Sequence, residues 1–147
     1  MNLFQFQEEV FGSTPNEVQA KLYARVKDGI CGYFEDGVLN EDKFLAILVL
    51  AFWQTLPFGP GNHHTVVIII PPAYKQQVLD IIKSTTKLLL ERFVESPRMY
   101  GLVCKSVKSF QLGSRILDLS DPPERWVCYG FNQTAPLPSW MQGKILV

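Results

Sequence analysis

The sequence predicts an α+β fold, and three observations carry that expectation. Two early segments follow recognisable helix caps, the first with apolar residues at helical spacing and the second apolar on all sides. Val66–Ile70 is an unbroken β-branched run, the pattern of a strand buried on both faces. The chain beyond Met99 breaks into short apolar stretches separated by turn residues. Together they predict two N-terminal helices, a β-α-β unit and an antiparallel β extension. These would form one mixed sheet covered by helices.

The first helix is expected to start at Thr14. Thr14 can cap, Pro15 suits the first helical position, and Glu17 completes a capping box. Val18, Leu22, Val26 and Ile30 then recur every four residues, with Lys21, Arg25 and Lys27 elsewhere around the helix. A second helix is expected after Asn40, with Glu41 and Asp42 in its first turn, where negative charge complements the helix dipole. Its run Phe44–Trp53 is apolar on all sides, which marks a helix buried over most of its surface. Pro57 ends it.

Pro71-Pro72 should close the β-branched strand and open a long helix from about Ala73 to Val94, stopped by Ser96-Pro97. The remaining strands are placed at Met99–Val107, Ser114–Leu119 and Trp126–Phe131, with a hairpin turn at Gln111-Leu112-Gly113. No internal repeat and no low-complexity stretch is visible.

The chain has 147 residues, 47% of them hydrophobic and 19% charged, which fits one domain spanning 1–147 with enough apolar material for its own core. Residues 132–147 form an apolar, proline-containing tail. Fourteen basic residues balance fourteen acidic ones. Such a chain lacks the basic excess by which nucleic-acid binders neutralise phosphates. Cys31, Cys104 and Cys128 are odd in number and widely spaced, so neither a disulfide framework nor a zinc site is expected. The first ten residues lack the pattern of a signal peptide, and the longest apolar run is too short for a span of about 20 residues. The expected location is the cytoplasm, with no membrane partner.

Little catalytic chemistry is legible. No catalytic residue, metal site or cofactor is assigned. The two histidines stand in the loop Asn62-His63-His64, ahead of the buried strand, where loops often carry sites. Adjacent histidines in an extended segment point apart, which disfavours joint metal ligation. The loop Gly59-Pro60-Gly61 follows a helix and opens a strand, the reverse of a phosphate-binding loop. Glu41 and Asp42 fit helix-start roles and Asp121 a turn, while Asp118 is expected to project from a strand toward solvent, opposite Leu117.

The reading that results is a small, non-enzymatic protein-binding or regulatory module, with homodimerisation as one form of it. Its partner would be a protein or a second copy, and the contact residues would be Leu137, Trp140 and Met141 in the tail. The alternative is a small-ligand binder or hydrolase-type enzyme using Asn62, His63 and His64. A weaker alternative is nucleic-acid binding through a sheet face bearing Lys105 and Arg115.

Overall fold

The computed structural model describes residues 1–25, 32–34, 41–58, 65–69, 72–113 and 126–131, with side-chain environments for 1–24, 41–58 and 73–110. Five helices dominate these residues. The first, α1, runs Leu3–Phe6 behind a reciprocal cap. Gln5 N–H donates to Asn2 Oδ1 at 2.9 Å, and Asn2 N–H donates to Gln5 Oε1 at 3.1 Å. The helix then widens into a π-helical turn, Gln7–Phe11. That turn brings Phe6, Gln7, Val10 and Phe11 together on the buried side. Gly12 closes it at φ 76°, in the left-handed region that suits glycine.

Helix α2 spans Glu17–Arg25. Its cap lies two residues beyond the Thr14–Glu17 box expected from sequence. Gln19 N–H donates to Asn16 Oδ1 at 2.9 Å, and Asn16 N–H donates to Gln19 Oε1 at 3.1 Å. Gln19 can therefore serve the cap and a buried polar network at once. Glu17 is left on the surface, paired with Lys21 at 3.1 Å.

Helix α3, Glu41–Thr55, is the centre of the core. From Phe44 to Phe52 every side chain except Leu45 is buried. This follows from its neighbours, since α1, α2 and α5 (Pro97–Ser109) all pack against it. Phe52 shows the convergence: its ring lies 6.1 Å from Phe11 and 5.2 Å from Phe110. Thr55 Oγ1 donates back to Ala51 O, and the helix ends two residues before Pro57.

A 3₁₀ turn, Pro72–Tyr74, leads into α4, Lys75–Arg92. Val78, Ile82, Thr85 and Leu89 form its buried stripe, at the spacing that keeps one helix face inward. Helix α5 occupies the segment expected to be the strand Met99–Val107. Ser96 caps it by accepting from Met99 N–H at 3.4 Å, and Pro97 sits in the first turn. Val103 and Ser106 then face the core at helical spacing. Ser96-Pro97 is thus a start signal for α5, where a stop for the preceding helix was expected.

Four short strands are described by their backbone: β1 Gly32–Phe34, β2 Thr65–Ile69, β3 Gln111–Gly113 and β4 Trp126–Phe131. Their order is β1-β4-β2-β3, and all three pairings are parallel. Gln111–Gly113 pairs alongside Val67–Ile69, where a hairpin turn was expected.

The expectation of an α+β fold with a mixed sheet is overturned. The described residues are predominantly helical, and the described core lies in helices and their flanks. The β-α-β unit as drawn fails because its second strand is α5, and the described pairings include no antiparallel extension. The physical reason is the period: Val103, Ser106 and Phe110 return every three or four residues, which suits one helix face and not a pleat. The expected strand Ser114–Leu119 and the tail 132–147 lie outside the described residues.

Candidate docking groove

Two polar constructions brace the helices before any surface is reached. The first joins the π-helical turn, α2 and α3. Tyr23 OH donates to Gln7 Oε1 at 2.6 Å, Gln7 Nε2 donates to Gln19 Oε1 at 2.9 Å, and Gln19 Nε2 donates to Asp42 O at 3.2 Å. Burial pushes the Tyr23 phenol well above its usual range, because the phenolate would lose its water. The second is a hydroxyl contact between Thr55 on α3 and Ser106 on α5. These networks serve packing. Each member bonds another member.

The surface feature with binding character lies between α4 and α5. A short link, 93–96, joins the two helices and makes them neighbours. Their inward stripes are used by the core. Leu90 of α4 and Val94 of the link meet Tyr100 and Val107 of α5 along an open groove of about 480 Å³, which Ile82 of the buried stripe also lines. Val94 is 68% exposed and Tyr100 41% exposed, unusual values for large apolar side chains so close together. Lys83, Lys87 and Glu91 follow one another at i, i+4 spacing and form the α4 rim. Thr86 lies in the groove but donates its hydroxyl to Ile82 O at 2.7 Å. The groove therefore offers contact area and charge, with little hydrogen-bonding capacity along its floor.

The residues singled out from sequence fall elsewhere. Asn62, His63 and His64 lie outside the described residues, as do Leu137, Trp140 and Met141. Arg115, Asp118 and Asp121 do too. Glu41 and Asp42 take the helix-start positions expected of them, and Glu41 Oε1 accepts from Gln77 Nε2 at 3.0 Å. Lys105 is corrected: it stands exposed on helix α5, so it belongs to no sheet face. Cys104, also on α5, is a half-buried free thiol. Among the described residues, no cluster of three or more His, Cys, Asp or Glu side chains could hold a metal, and no helix is long and apolar enough to cross a membrane.

Sequence reasoning missed the groove. A signal was present in Leu90 and Tyr100, which fall off the buried stripes of α4 and α5, and in Val94 just past the end of α4. It could be read only once residues 99–107 were known to be a helix, since the groove needs two. No family model matches the chain, and neither does any curated protein or solved structure compared with it.

Proposed function

We propose that the chain is a non-enzymatic protein-binding module and that the α4–α5 groove is its docking surface. The observation that supports this reading is a groove between two braced helices, lined by apolar side chains of which Val94 and Tyr100 are exposed, and rimmed by charge. Interfaces commonly pair an apolar centre with a polar rim, and aromatic residues such as Tyr100 are frequent anchors. The geometry is also pre-formed. The groove walls are helices fixed to the core through Leu89 and Val103, so little ordering cost opposes binding.

The test is selection of a displayed helical-peptide library on the full chain, counter-selected on a Val94→Glu/Tyr100→Glu double variant. Sequences enriched on the native chain and lost on the folded variant are the expected result. Enrichment that ignores the double substitution would remove the groove from the reading. Self-association is a special case of the same reading, and light scattering over a concentration series measures it.

A further inference from the structure

We infer that the α4–α5 groove takes an acidic amphipathic helix from a partner protein; this rests on the docking reading above. Three observations narrow the occupant. The first is charge. Residues 72–110 hold seven lysines and arginines against three acidic residues, although the whole chain is neutral. Lys83 and Lys87 stand on the groove rim, and neither has a carboxylate within ion-pair distance among the described residues. Glu91 is the acidic member of the α4 rim, so partner carboxylates belong opposite Lys83 and Lys87.

The second observation is the shortage of polar partners on the floor. An extended peptide would bury backbone N–H and C=O groups there without replacement hydrogen bonds, because the groove walls are helices whose own backbone groups are paired and Thr86 is committed to Ile82 O. A helix satisfies its backbone internally and can present a bare apolar face. The third is length. Ile82 to Glu91 covers about two and a half turns of α4, enough for anchors at i, i+4 and i+7. The chain's own apolar tail, 132–147, contains no aspartate or glutamate, so the lysine rim does not select it.

Two capped, fluorescein-labelled peptides of about four helical turns provide the test. Both carry leucines at i, i+4 and i+7; one carries glutamates on a single flank and the other lysines. Anisotropy titrations of the full chain should show the glutamate peptide binding at least about fivefold tighter, with the difference shrinking in high salt. A Lys83→Glu/Lys87→Glu variant should invert the preference while its circular dichroism is unchanged. Vesicles of phosphatidylserine and phosphatidylcholine form a competing arm. Equal binding of both peptides, still lost in Val94→Glu/Tyr100→Glu, would overturn the acidic occupant and leave the docking groove standing. Binding of neither peptide overturns the inference, and the library selection then shows separately whether the groove docks anything. Stronger binding to the anionic vesicles than to the glutamate peptide would reassign the surface to lipid and overturn it as well.

Discussion

Helix α3 and the α4–α5 pair use apolar residues in opposite ways. Helix α3 is covered on nearly all sides, and its central residues from Phe44 to Phe52 have almost no surface left to offer. Helix α4 spends Val78, Ile82 and Leu89 on the core and carries Leu88 outward, and Val94 stands exposed just past its end. A helix apolar all round is explained by its neighbours within the chain. A helix with one stripe inside and more apolar residues outside is not, and the surplus calls for another explanation. The difference separates the part of the molecule that supplies stability from the part proposed to supply recognition.

Breaking the core side of that comparison should have the largest effect. Phe52→Ala removes a ring packed between Phe11 and Phe110 and leaves a cavity at the meeting of α1, α3 and α5. The expected loss is about 3–5 kcal/mol in urea denaturation. Leu88→Ala, at an exposed position on α4, should stay within about 0.5 kcal/mol. Similar losses for both would erase the distinction between the two helices.

The buried amide network gives the next largest effect. Gln7→Leu strands the Tyr23 hydroxyl and removes a donor to Gln19, at an expected cost of about 1–3 kcal/mol. Tyr23 adds a pH signature. Burial raises its pKa in the folded state, so the native chain holds the phenol proton more tightly than the unfolded chain does. The stabilisation is fully present below the unfolded value of about 10 and is lost as the pH climbs above it. Denaturation midpoints measured from pH 8 to strongly alkaline conditions should fall less steeply in Tyr23→Phe than in the native chain. Parallel curves would mean that Tyr23 is not the group responsible.

These contrasts also show what could be read from sequence. Helix α3 was legible because ten consecutive apolar residues admit few alternatives, and α4 because its stripe runs through several turns. Helix α5 was not. Val103 and Val107 are β-branched, Gly101 weakens a helix, and Ser96-Pro97 serves equally well as the end of one helix or the start of the next. The helical period from Val103 through Ser106 to Phe110 is short and is outweighed by these signals until the segment is seen packed against α3. The capped start at Asn2 and Gln5 was readable in principle, since an Asn followed three residues later by Gln satisfies both orphan donors. The groove was invisible for a different reason: it exists only between two helices, one of which was expected to be a strand. The histidine loop and the tail residues Leu137, Trp140 and Met141 remain sequence readings, outside the described residues.

A smaller effect tests how α4 is tied to the N-terminal helix. Arg92 Nη1 donates to Glu9 O at 3.2 Å, and its guanidinium lies where a side chain at Gly12 would project. Gly12→Ala combines a left-handed backbone with that collision and should cost about 1–2 kcal/mol. In an Arg92→Ala background the collision disappears and the backbone part remains. The penalty of Gly12→Ala should therefore be smaller there, and the difference between the two backgrounds measures the coupling. An equal penalty in both would assign the whole effect to the backbone.

The smallest expected effect on stability is the most informative about function. Val94 and Tyr100 are exposed, so replacing both with glutamate should change the unfolding free energy by no more than about 0.5 kcal/mol per site. The same two changes put negative charge into the groove where apolar contact is proposed, and they should abolish docking. The combination of unchanged stability and lost binding is what an unused apolar surface predicts. Suppose instead that the double variant is destabilised by several kcal/mol. The two side chains would then be holding the fold together in solution, the surplus that distinguishes α4 from α3 would vanish, and the pair would join the core after all.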